Sequence, residues 1–192
     1  NECNTDCQAV DYVTVSGGVD VPTILMVAGA ATSLVKPEIG VSMVLAGAAI
    51  EACALTAAPS CAALKLASVG TSGTLDRYGN IYWTPIQFSW GKSMTPFVGL
   101  EVDLGMLPKK VDDLYTPVKY REIPKESELK DFLSGALPMS ASIGPAGPGI
   151  AFSPFAENKF ASQGAIASTS IFSANFGIWS FHMGKIESLH WP

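Results

Sequence analysis

The chain has 192 residues, 48% of them hydrophobic and 15% charged, with a formal net charge of −5. The length is ample for a real core, while only 12 Lys and Arg, two of them Arg, exclude an extended nucleic-acid surface, which demands a basic stripe. The first residue is Asn1, with neither Met nor a signal peptide ahead of it, so the chain reads as a mature or excised part of something longer.

All four cysteines, Cys3, Cys7, Cys53 and Cys61, lie in the first third. An even count is compatible with two disulfides in three possible pairings, and with an oxidising compartment. Cys53 and Cys61 flank "LTAAPS", where Pro59 ends a helix, so a bridge across that corner is geometrically reasonable. Free buried thiols are the alternative. The spacings fit no usual zinc pattern and no His lies nearby, so no metal and no cofactor are expected.

Residues 21–70 carry only Lys36, Glu38, Glu51 and Lys65 as charges and are rich in Ala, Leu and Met. The pattern predicts a helix over 22–35, a second over 38–57 beginning at Pro37, and a short third after Pro59. Gly29 with Ser33, and Ser42 with Ala46, are small-residue pairs that let helix backbones approach closely. The hairpin is either a buried, Ala-rich element or one that enters a membrane through Ile24, Leu25, Met26, Val27, Val44 and Leu45. Glu51 argues against a lipid-facing role, because an intramembrane carboxylate is costly.

Composition changes near Thr71. No aromatic residue occurs between Val13 and Arg77, whereas all four Trp, all nine Phe and four of five Tyr lie at Tyr78 or later. We therefore divide the chain into a disulfide-capable hydrophobic helical region, 1–72, and an antiparallel β domain, 73–192. "DRYGN" at 76–80 reads as a turn. "YGNIYWTPIQFSW" and "TPFVGLEVDLGML" read as strands joined by a short "GKS" loop into a hairpin. In the second, Val98, Leu100, Val102 and Leu104 alternate with Gly99, Glu101 and Asp103, one face buried and one wet. Residues 109–131 hold 12 of the 29 formal charges and form a solvated connection ending in a helix, "KESELKDFLSG", stopped by Gly135.

Within "SQGAIASTSIFSANFGIWSF", alternation separates Ser162, Gly164, Ile166, Ser168 and Ser170 from Ala161, Gln163, Ala165, Ala167, Thr169 and Ile171. "SAN" at 173–175 reads as a turn, and Trp179, Phe181 and Met183 share the next face. Small residues on both faces suit a strongly curved sheet whose polar side chains line a narrow interior or meet the hairpin. Membrane-inserting hairpins alternate in this way over about ten positions, but a lipid-facing row here would need more than Ala, Gln and Thr. The expected fold is α+β: an N-terminal Ala-rich helical hairpin packed on or preceding a curved antiparallel β-sheet or small β-barrel.

Catalytic signals are weak. His182, with Glu187 or Glu157 to orient it, could serve as a general base, and His190 is the only other histidine. Arg77 beside Asp76 could anchor a phosphate at a sheet entrance. No Walker motif, nucleophile elbow, HExxH or Cys–His constellation occurs, and "GPAGPG" lacks the Lys and following helix of a phosphate loop.

The succession Asp76, Arg77, Gly79, Asn80 into an aromatic strand, then Phe132 to Gly135, then Ser153 and Pro154, then Ser-alternating strands, resembles the C-terminal region of bacterial Rhs and related polymorphic toxins. Over about residues 74–183 it is similar to the polymorphic toxin type 22 family. The resemblance implies a secreted toxin effector used against competing cells, delivered to a target-cell envelope or cytoplasm and neutralised by a cognate immunity protein. A start at Asn1 would suit self-cleavage from an Rhs shell. No catalytic residues carry over from the family. The missing catalytic constellation, the uncharged hairpin and the Ser-alternating strands favour a membrane-active, pore-forming or depolarising toxin, with the target membrane as a partner. The alternatives are an enzymatic toxin, a nuclease or nucleotide-modifying enzyme with a shallow site at Asp76, Arg77 and His182, and a secreted binding module presenting Trp83, Trp90 and Trp179.

Overall fold

Strand β1 (Tyr12–Asp20) runs directly into three helices, α1 (Val21–Ser33), α2 (Pro37–Leu55) and α3 (Pro59–Leu66), before the chain returns as β2 (Ala67–Asp76). The computed structural model describes residues 10–55, 59–91, 98–108, 123–189 and 191. Cys3, Cys7, His190, most of the "GKS" loop and residues 109–122 of the charged connection lie outside them.

The helices fall within two residues of the expected bounds. Asp20 caps α1, its Oδ1 accepting from the Thr23 N–H at 2.9 Å, and Pro22 occupies the first turn. The α1–α2 contact is made at Gly29, Gly40 and Gly47: a Cβ on Gly40 would lie 2.3 Å from the Ser33 nitrogen, and one on Gly29 2.7 Å from the Gly40 carbonyl. Of the expected small-residue pairs, Gly29 and Ser33 take this role; Ser42 instead donates to its own helix at the Glu38 carbonyl. The expected bridge is present, Cys53 to Cys61, tying α2 to α3 with Cα atoms 5.7 Å apart. Glu51, which argued against lipid, is neutralised by Lys65 of α3 at 2.7 Å.

The remaining elements are β3 (Asn80–Trp90), β4 (Val98–Met106), α4 (Glu126–Leu133), β5 (Gly135–Ala136), β6 (Met139–Ile143), β7 (Gly147–Phe152), β8 (Phe160–Ser168), β9 (Phe172–Gly177) and β10 (Trp179–Lys185). Hydrogen-bonded neighbours run β2-β1-β4-β8-β7-β6-β9-β3, and β3 pairs back with β2. Every pairing is antiparallel, so eight strands close into a barrel, the more specific of the two β architectures expected. β9 and β10 lie end to end along β3, and β5 and β6 end to end along β9 and β10. β1 and the start of β2 precede the compositional change at Thr71 yet belong to the barrel, so the helices emerge as an insertion from one end of it.

Three local readings change. β3 and β4 are not a hairpin: β1 and β2 stand between them, because β1 pairs with β4 and β2 with β3. The tight hairpin is β2–β3, turned through "DRYGN", where the Asp76 Oδ1 accepts the N–H groups of Tyr78 and Asn80 and Gly79 adopts φ +87°. "SAN" is inside β9, not a turn. The alternation of β8 also slips at Ile166, where Val102 faces Ala167 while Asp103 faces Ala165. That bulge turns Ser168 to the same side as Gln163 and Ala165.

The end of the barrel opposite the helices is closed by a conventional core of Tyr12, Leu107, Leu129, Phe132, Ala151, Ala156 and Ala161. Helix α4 supplies Leu129 and Phe132 to it. The Glu128 carboxylate caps its start by accepting from the Lys125 N–H at 2.7 Å.

Candidate functional site: the barrel wall and lumen

The alternation read on β4 is present, but with its sign reversed, whereas the polar interior expected of the Ser-alternating segment is found. On β4, Glu101 and Asp103 are buried, at 6% and 0% exposure, whereas Leu100 is 55% exposed. The same holds around the barrel. Ser16, Ser72, Thr84, Gln87, Ser142, Gln163, Ser173 and Asn175 are buried, while Val15, Trp83, Phe88, Trp90, Ile143, Ile150, Ile166 and Phe176 are exposed. The expectation of a wet polar face and a buried apolar face on β4 is therefore overturned: polar side chains fill the lumen because closure points one face of every strand inward.

Along the eight barrel strands the outward face carries no charge. The eight barrel strands contain only four charged residues, Asp20, Asp76, Glu101 and Asp103; the first two end their strands and the last two face the lumen. Polar groups that do sit on the wall are satisfied within it. The exposed Trp83 indole N–H donates to the Thr71 hydroxyl at 2.7 Å, and Thr71 in turn donates to the Thr84 carbonyl at 2.8 Å. Phe88, Phe176, Met139, Phe152 and Phe160 follow one another across successive strand pairs, forming an apolar band along the hydrogen-bonding direction.

The lumen is organised around Glu101. Its Oε1 accepts from Ser142 at 2.7 Å, and its Oε2 accepts from Ser173 at 2.7 Å and Ser168 at 3.3 Å. Four strands are thus tied through one carboxylate. Asp103, one pleat further along, has no hydrogen-bond partner on either oxygen; Glu101 and Gln163 flank it without completing a bond of normal geometry. Deeper still, the Tyr12 hydroxyl donates to Gln163 Oε1 at 3.0 Å, and its ring lies over Gly105, where a Cβ would fall 1.8 Å from Cζ. A cavity of about 70 Å³ remains among Thr14, Ser16, Thr84, Gln163, Asn175 and Phe132.

The candidate catalytic residues occupy the charged end. Asp76 accepts from Asn80 Nδ2 and from the Tyr82 hydroxyl besides its turn amides, and His182 Nε2 meets Asn80 Oδ1 at 3.0 Å. Asp76 and His182 are therefore linked through Asn80, and the His182 ring packs on Tyr82. Arg77 turns away to Asp11 at 3.1 Å. Glu126 of α4 joins the same end, accepting from Lys185, Lys130 and Asn80 Nδ2; the Lys185 hydrogen bond first, then those of Asn80 and Lys130, lower its pKa to about 2. Asp76 is wholly buried and fully engaged, so these contacts hold the end of the barrel together.

Of the hairpin residues singled out for lipid contact, Ile24, Val27 and Leu45 are exposed, while Leu25, Met26 and Val44 lie half-buried at the α1–α2 contact. Leu34 and Val35 at the tip, 88% and 81% exposed, were not singled out. Helix α2 has the length and mean hydropathy of a membrane-crossing helix, 19 residues at 1.7, and is 11% buried. On the barrel, Trp83, Trp90 and Trp179 all lie on the exposed side.

Residue placement defines a class of architecture, a closed antiparallel barrel with a polar interior and an uncharged apolar exterior. Beyond that class, no protein-family model, no curated protein and no solved structure matches the chain.

Proposed function

We propose that this chain inserts into lipid bilayers as a small β-barrel, with the helical hairpin as a second apolar element. The observation that carries this reading is the sidedness of the barrel: hydroxyls and carboxylates inside, Val, Ile, Leu, Phe and Trp outside, and no charge on the outward face of its eight strands. In water such a surface is an association liability, since large exposed apolar patches mark sites of contact with another apolar phase. In a bilayer it is the required arrangement, because a spanning β structure must close its backbone hydrogen bonds and face hydrocarbon with apolar side chains. Strands β1, β2, β3, β4 and β8 are 9–11 residues long, the length of a tilted membrane-crossing strand.

A secreted toxin acting on the envelope of a competing cell, with an immunity protein as its antagonist, is the biological setting that the sequence resemblance implies and that this reading suits. An eight-stranded barrel is just wide enough for its own side chains, so depolarisation through one copy would require water and ions to pass the Tyr12 and Phe132 plug.

The test is flotation of the full chain with phosphatidylglycerol-containing liposomes, followed by tryptophan emission. Co-flotation with a blue shift is expected, because Trp83, Trp90 and Trp179 lie on the wall. Protein that stays at the bottom of the gradient with unshifted emission refutes the reading. Expression in the bacterial periplasm and cytoplasm, with growth and membrane potential followed, then tests the toxin setting: killing with depolarisation from the periplasm alone is the expected result.

A further inference from the structure

Glu101 and Asp103 project to one side of β4 with a single residue between them, and both are buried. Glu101 is held as an anion: Ser142, Ser173 and Ser168 donate to it, and hydroxyl donors favour the charged form of a carboxyl. No hydroxyl donates to Asp103. Its side-chain neighbours are Glu101 and Gln163, and neither of its oxygens has a hydrogen bond of normal geometry. Across the β1–β4 pair stands Thr14, whose hydroxyl is engaged with that of Thr74. The other titratable group close by is Tyr12 of β1, which donates to Gln163. No cation is at hand to balance two charges. The eight barrel strands contain no Lys, Arg or His. Outside them, Arg77 meets Asp11, Lys130 and Lys185 meet Glu126, and His182 meets Asn80. Two ionised carboxylates enclosed together carry a heavy desolvation cost, and a group so placed takes up a proton instead.

We propose that the lumen binds one proton, carried by Asp103 as a carboxylic acid whose O–H donates to the Glu101 carboxylate, so that the pair holds a single negative charge in the folded barrel. Glu101 has room for that bond. Among the described residues its Oε1 accepts from Ser142 alone, and each carboxylate oxygen can accept two bonds. The Tyr12 hydroxyl occupies Gln163 Oε1, which leaves the Gln163 amide N–H groups for the other Asp103 oxygen. Burial first, and then the Glu101 charge, push the Asp103 pKa from the ordinary 3.8 up to about 8. Between those values the folded chain keeps a proton that the unfolded chain has lost. This contribution to stability therefore falls as pH rises from about 4 to about 8 and is level above that. Glu126 behaves in the opposite way, since its contribution is lost in acid. Acid thus tightens the barrel at β1, β4 and β8, and loss of the proton sets two like charges one pleat apart within it. The inference rests on lumen geometry and stands apart from membrane insertion.

The experiment is urea unfolding of the full, lipid-free chain at a series of pH values from about 5 to about 9, wild type against Asp103→Asn, so that titrations common to both cancel. The ratio of wild-type to variant folding constants is expected to fall about tenfold per pH unit, as one proton requires, and to level off near pH 8. Glu101→Gln removes the like charge and is expected to move the levelling point to lower pH. Infrared spectra of the folded wild-type chain in mildly acidic solution are expected to show a protonated-carboxyl C=O band. That band should vanish in alkaline solution and be absent from Asp103→Asn. A wild-type-to-variant ratio that ignores pH overturns the proposal, and so does a folded wild-type chain without the band. A band that survives in Asp103→Asn places the proton elsewhere and also overturns it, as does a levelling point unmoved by Glu101→Gln, which removes Glu101 as the partner. The wild-type spectrum decides the matter where a variant fails to fold.

Discussion

Substituting Arg for Val15 puts one charge on the middle of the outer wall. Val15 is 49% exposed, near the centre of β1, and its cross-strand neighbours are Gly73 and Val102. A Cβ placed on Gly73 would meet nothing within 4 Å, so the surface beside Val15 is open and an arginine there displaces no packed atom. In water such a substitution shifts stability by no more than about 0.5 kcal/mol. With the wall in hydrocarbon, an arginine near the bilayer midplane costs about 2–4 kcal/mol. At about 1.4 kcal/mol per decade that is a loss of roughly 30- to 700-fold in partitioning. The assay is quantitative flotation across a lipid titration, with urea unfolding of the lipid-free protein as the control on folding. A Val15→Arg chain that unfolds at the wild-type urea midpoint yet needs the same lipid concentration to float would refute the wall as the lipid-facing surface.

Four further outcomes follow from particular contacts. Ser173→Ala removes a hydroxyl from the buried Glu101 carboxylate and is expected to destabilise by about 1.5–3 kcal/mol in urea unfolding, as for hydrogen bonds to charged groups. Gly105→Ala forces the Tyr12 ring from its seat and is expected to cost about 1–3 kcal/mol, with a changed near-UV tyrosine signal. Glu126 has its pKa lowered to about 2, so its contribution is present above the ordinary value of 4.5 and is lost as pH falls from there towards 2. Acid titration by circular dichroism should show that limb in wild type and a flatter one in Glu126→Gln. Paired Cys53→Ser and Cys61→Ser changes open the short loop between α2 and α3 and should lower hairpin stability by about 2–3 kcal/mol, read as faster amide exchange confined to residues 21–66.

Much of this architecture was legible because it is written in local chemistry. The helices announce themselves through Pro37 and Pro59 around Ala-rich stretches, and α4 through "KESELKDFLSG" with its stop at Gly135. Strand pairing was less legible. The aromatic run 80–90 and the run 98–106 lie next to each other in sequence, which favours a hairpin, yet β1 and β2 occupy the places beside them. Nothing local encodes that choice: the partners are separated by a helical insertion, and β1 contains Ser16, Gly17 and Gly18, weak strand formers that acquire their pairing only in the closed barrel.

Burial was the hardest feature to read, and β4 shows why. A period of two in "VGLEVDLGM" establishes that Leu100 and Glu101 face opposite ways, but periodicity is silent on which side is the interior. Ordinary experience of water-soluble sheets places Leu100 inside. The opposite answer was available from what stands across from Glu101 rather than from its own strand. Ser142, Ser168 and Ser173, scattered through segments without a single Lys or Arg, are the hydroxyls a buried carboxylate needs, and no equivalent polar set exists to cover Val15, Trp83, Phe88 or Ile150. A sequence that supplies three hydroxyl partners for Glu101 and none for its aromatic rows is specifying a polar inside. In a barrel too narrow to hold both sets, the aromatic rows are left to face the surroundings.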